Sequence, residues 1–138
     1  MPSSFAGYSG TPLARKLGID ESTHLLAIDA PADYRQLLEP FPKGATFATT
    51  LSVRVGVIHL FVDKRAALER QLTALRKRIR PDASVWVSWP KQTSKVPSDV
   101  TEDVIRSVAL PMGYVDVKVC AVSAVWSGLK LVIRKELR

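Results

Sequence analysis

The chain has 138 residues, of which 46% are hydrophobic and 24% charged, enough for one folded core and too few for two catalytic domains. That balance excludes an unstructured chain, a collagen-like chain and a disulfide scaffold, and one cysteine with two histidines offers no zinc-ligand spacing. Twenty basic against thirteen acidic side chains leave a net charge of +7, which favours an anionic partner, either an acidic protein or an anionic small ligand.

In chain order, residues 11–17 read as a short helix that Thr11 caps, Pro12 opens and Gly18 stops. Residues 24–30 form a nearly unbroken apolar run, the signature of a strand buried on both faces. A short helix is expected over 33–39, where Tyr34, Leu37 and Leu38 share a face and Pro40 ends it, followed by strands over 45–51 and 55–62. Residues 64–79 carry Leu68, Leu72, Leu75 and Ile79 at helical spacing, with most of the basic residues elsewhere on the cylinder. A strand over 84–89 leads into a polar loop at 90–99. Thr101 then caps a helix with Glu102 and Asp103 in its first turn and Val104, Ile105, Val108 and Met112 as its apolar stripe. Gly113 closes that helix, and strands over 114–122 and 126–134 are close enough in sequence to form an antiparallel hairpin.

Strands that alternate with helices demand a mostly parallel sheet with right-handed crossovers and helices on both faces. No apolar run approaches the ~20 residues of a membrane span, and the opening residues lack the segments of a signal peptide. The expectation is one cytoplasmic α/β domain over 1–138, with 1–20 as an arm and short helix and no membrane contact. The order of elements from 55 to 134 resembles the C-terminal half of the Rossmann-like methyltransferase fold, which makes the whole similar to a truncated class I methyltransferase. In such a sheet ligands bind at the carboxyl ends of the strands, near the switch point. Here those ends are Asp29 to Pro31, Asp63, residues 90–95 and residues 123–127.

Nucleotide and S-adenosylmethionine sites on this fold use glycines in the first strand-to-helix turn, where a Cβ would obstruct the ligand. The corresponding turn is Asp29-Ala30-Pro31-Ala32-Asp33, and no glycine lies between residues 19 and 43. This reading expects no cofactor and a bend too crowded to admit a nucleoside. A nearer resemblance rests on five ordered segments: Gly7-Tyr8-Ser9-Gly10-Thr11-Pro12-Leu13, Trp86-Val87-Ser88-Trp89-Pro90-Lys91, Thr101-Glu102-Asp103-Val104, Asp116-Val117-Lys118-Val119-Cys120-Ala121-Val122 and Trp126-Ser127-Gly128-Leu129-Lys130. Together they resemble the bacterial family called domain of unknown function 3052, which implies no activity and no catalytic residue.

Several residues are candidates for binding. Ser9 and Thr11 precede a helix start whose free amides suit an anion, although a plain cap explains them equally well. Lys91, Thr93 and Lys95 stand on the polar loop where they could converge with the Thr101 helix start, as against a solvated loop. Trp126 and Ser127 open the last strand, with an indole to stack and a hydroxyl to donate. Asp29 ends the first strand. Arg70, Arg76, Lys77 and Arg80 are the candidate nucleic-acid contacts of the basic helix. His59 reads as a satisfied core histidine and Cys120 as packing, and no residue is assigned to catalysis or to a metal. The expected function is a non-enzymatic interaction or small-ligand module; the alternatives are a divergent S-adenosylmethionine-dependent transferase and nonspecific nucleic-acid binding.

Overall fold

The computed structural model describes residues 10–138. These build one six-stranded sheet in the order β2-β1-β3-β4-β6-β5, with β1 at His24–Ile28, β2 at Thr46–Phe47, β3 at Val57–Phe61, β4 at Ser84–Pro90, β5 at Tyr114–Ala121 and β6 at Trp126–Ile133. Strands β2, β1, β3 and β4 are parallel, and β6 runs antiparallel to both β4 and β5. This is the truncated Rossmann-like α/β fold, closed by the expected antiparallel hairpin.

All five residues of β3 and all seven of β4 are buried, because helices cover both faces of the sheet's centre. On one face lie α3 (Arg65–Arg78) and α4 (Glu102–Ala109); Leu68, Leu72, Leu75, Ile105 and Val108 pack on Ile58, Leu60, Val85, Val87, Leu129 and Leu131. Each such side chain contributes about 1.5–3 kcal/mol through burial. On the other face α1 (Leu13–Lys16) and α2 (Tyr34–Leu37) cover Leu25, Val57, Phe61 and Trp86. The Trp86 indole Nε1 donates to the Leu17 carbonyl at 3.0 Å, tying α1 to β4.

Two expectations about local structure need correction. Thr11 does not cap α1: Pro12 occupies the cap position and no side chain supplies a capping bond. The second strand spans two residues where seven were expected, because only Thr46 and Phe47 find ladder partners on β1. Thr101 does cap α4, its Oγ1 accepting from the Val104 amide at 3.2 Å. Gly113 ends the following turn at φ 100°, a left-handed conformation that glycine adopts without a steric penalty.

Candidate functional site at the carboxyl edge of the sheet

The chain leaves β1 toward β2 on one side and returns to β3 on the other, so the switch point lies between the carboxyl ends of β1 and β3. A hollow of about 260 Å³ opens there, lined by Asp29, Phe61, Val62, Asp63, Ala67 and Trp126. Its wall is aromatic: Phe61 meets Trp126 edge to face at 5.1 Å, and Tyr34 meets Phe61 in the same manner at 5.4 Å. Its rim carries two exposed carboxylates, Asp29 and Asp63. Asp29 has φ 58°, an uncommon conformation for a residue with a side chain, and one that such residues adopt more often at functional sites than elsewhere.

A second hollow, of about 380 Å³, lies on the other side of the same turn. Ala27, Ala30, Pro31, Ala32, Tyr34, Arg35, Phe47, Ala48 and Thr49 line it. Phe47 stacks on Phe41 at 4.8 Å, and the Arg35 guanidinium lies 4.0 Å over the Phe47 ring. The turn after β1 thus borders an open hollow, with alanines on either side of Pro31.

Of the residues singled out from sequence, Asp29 and Trp126 meet in the first hollow. Lys91, Thr93, Lys95, Thr101 and Ser127 do not line it. Lys91 donates its amide to the Val125 carbonyl at 2.8 Å, whereas Thr93 and Lys95 are exposed on a short 3₁₀ turn, with Lys95 at φ 61°. Thr101 is occupied as the α4 cap. Strand alternation sends Ser127 to the α3/α4 face with Leu129 and Leu131, away from Trp126. Ser9 lies outside the described residues. Thr11 precedes a four-residue helix, too short to present an anion-binding terminus.

The basic helix is divided between structural and solvent-facing cations. Arg76 Nε donates to the Met112 carbonyl at 3.0 Å, and Arg80 pairs with Asp82 at 2.8 Å while its guanidinium lies against Gly56 and reaches the Val53 and Arg54 carbonyls. Arg70 and Lys77 are exposed. His59 is a core residue, as expected, and it anchors a polar chain that periodicity does not reveal. Tyr34 Oη and His59 Nδ1 are 2.7 Å apart, and His59 Nε2 is 2.7 Å from Ser88 Oγ. Complete burial drives the imidazole pKa from 6.5 down to about 3, and burial likewise raises that of the Tyr34 hydroxyl. Cys120 is partly buried, and burial raises its thiol pKa.

Among the described residues no three His, Cys, Asp or Glu side chains gather as a metal site, and no helix is long and apolar enough to cross a membrane. Phe47, Arg35 and the Tyr34–His59–Ser88 chain escaped the sequence reading, since each depends on contacts between distant strands. Phe61 carried a signal, as the bulky residue near the end of an apolar run.

No protein-family model and no curated protein sequence matches the chain. Solved structures of similar fold include methyltransferases and fibrillarins. A candidate type 11 methyltransferase from Sulfolobus solfataricus superposes with a TM-score of 0.58 at 10% identity, covering 89% of this chain and 90% of that one. Fibrillarin from Aeropyrum pernix, solved with natively bound S-adenosyl-L-methionine, gives 0.53 at 13% identity over 91% of this chain and 70% of its own. The fibrillarin pre-rRNA processing protein of Methanococcus jannaschii gives 0.51 at 10% identity, over 92% and 70%. At these identities the likeness establishes the fold of the sheet alone.

Proposed function

We propose that this chain is a small-ligand module that binds its ligand astride the end of β1 and performs no chemical step of its own. The observation that carries this reading is the pair of hollows flanking Asp29 and Ala30, one rimmed by carboxylates and the other lined by Phe47 and alanines. A ligand matched to them carries a cationic group at one end and a planar, weakly polar group at the other. Asp29 and Asp63 would hold the cation, and the second hollow, walled by alanines and the edge of Phe47, would take the planar end. The hydroxyl of Tyr34, which borders the second hollow, is already bonded to His59, and neither hollow offers a paired nucleophile and base.

The second reading is a divergent S-adenosylmethionine-dependent transferase. It is favoured by one observation, the superposition on a fibrillarin that holds S-adenosyl-L-methionine, a molecule with a cationic end and an adenine end. Calorimetry with S-adenosylmethionine, S-adenosylhomocysteine and adenosine tests both readings. The module predicts saturable binding of S-adenosylmethionine, weakened about tenfold by Asp29→Asn through loss of a charge-assisted contact. It also predicts no methyl transfer to a broad acceptor panel. Measurable turnover favours the transferase, and silence with all three ligands removes both.

A further inference from the structure

Strands β5 and β6 set Lys118 directly opposite Lys130. Partners in such a ladder share one face with their Cβ atoms about 4.5–5.5 Å apart, and like charges so placed destabilise the pair. The structure does not separate them. Lys118 Nζ lies 5.9 Å from the centroid of the Trp86 ring, and Trp86 on β4 is the ladder partner of Lys130 on its other side. To reach Trp86 from β5, the Lys118 side chain crosses β6 over the position from which Lys130 rises. Lys16, the last residue of α1, stands on the same face, and both it and Lys118 lower the Cys120 thiol pKa against the effect of burial.

Among the described residues neither Lys118 nor Lys130 has a carboxylate within ion-pair distance. The acid nearest in sequence on β5, Asp116, is bonded instead to Arg106 at 2.9 Å. Lys130 is half-buried, and its desolvation, followed by the charge of Lys118, holds its pKa below the usual value. Lys118 and Lys130 form a repulsive cross-strand pair that the Trp86 ring beside Lys118 offsets only in part and no carboxylate neutralises, which leaves a charge excess for a group from outside to complete.

We propose that Lys118 and Lys130 form an anion site on the α1 face of the sheet that takes a phosphate group of two or more negative charges. A compact polyanion between the two ammonium groups replaces their repulsion with charge-assisted hydrogen bonds, and its several oxygens serve more than one lysine at once. This site is separate from the carboxyl-edge hollows and does not depend on the reading given to them. The chemistry is shared by free pyrophosphate and by the diphosphate of a nucleotide.

The test follows thermal unfolding of the full chain titrated with pyrophosphate at constant ionic strength, with chloride as the compensating anion. The wild-type midpoint rises and saturates. Lys130→Met melts above the wild type in the absence of pyrophosphate, because the repulsion is gone, and its apparent affinity for pyrophosphate falls about tenfold or more. A flat wild-type response, or an equal rise in both proteins, overturns the proposal. Adenosine diphosphate in a parallel titration separates the sources: tighter binding than pyrophosphate assigns a nucleotide, and weaker binding assigns the free anion. Should Lys130→Met fail to fold, the wild-type protein supplies a second readout. Pyrophosphate, and not chloride, slows alkylation of Cys120 by iodoacetamide, since neutralising the neighbouring lysines raises the thiol pKa. An unchanged rate contradicts the site.

Discussion

His59 shows how one buried side chain ties stability to pH. Its pKa of about 3 in the folded protein lies below the ordinary 6.5, so between these values the unfolded chain binds a proton that the folded chain does not. Stability is therefore full above about pH 6.5 and falls as the pH drops toward 3, by up to about 1.4 kcal/mol per pH unit over that interval. Chemical denaturation at pH 7.5 and pH 4.5 should reveal that loss. His59→Leu should flatten this part of the slope. It should also cost about 1–3 kcal/mol at pH 7.5, because the Tyr34 and Ser88 hydroxyls then lose a buried partner. A His59→Leu protein with the wild-type slope would show that another group governs the acid transition.

The hairpin and the basic helix are decided by close packing between elements. Gly128 on β6 sits where a Cβ would stand 3.0 Å from Val122 Cγ2 and 3.3 Å from the Trp86 ring. Neither neighbour yields easily, since Trp86 is fully buried and held by Leu17. Gly128→Ala should thus destabilise the fold by about 1–3 kcal/mol, as overpacking of a core does, with the loss read from a denaturant midpoint at unchanged m-value. The sequence pattern placed Leu68, Leu72 and Leu75 on the buried face of α3, with Ile79 buried just past its end instead of within it, but could not separate the cations by role. Arg76 and Arg80 satisfy backbone carbonyls of neighbouring segments, whereas Arg70 and Lys77 face solvent, and only the segments packed beside the helix determine which is which.

At the scale of the whole molecule, stability is graded along the sheet. β3 and β4 are buried throughout and lie between two paired strands, while β2 consists of two residues on an outer edge. Native-state hydrogen exchange should therefore rank the amides. Those of β3 and β4 exchange only on global opening, and those of Thr46 and Ala48, which bond β1 from the edge, exchange through local opening at a free energy well below it. Equal protection in β2 and β4 would mean that the sheet opens as one unit. Because the second hollow rests on β2 and Phe47, the same gradient puts that part of the candidate site on the least protected edge.

The sequence alone determined whatever depends on neighbours a few residues apart: the apolar runs of β1, β3 and β4, the leucine stripe of α3, the Thr101 cap, the hairpin of β5 and β6, and from their order the α/β class. These follow from local periodicity and local hydrogen bonds. Only the tertiary structure decided which side chains meet across strands. It joined Asp29 to Phe61 and Trp126, linked Tyr34 to His59 and His59 to Ser88 over separations of 25 and 29 residues, and set Lys118 against Lys130. Strand order and register make those contacts, and both are settled by the collective burial of two sheet faces, which no short stretch of sequence encodes.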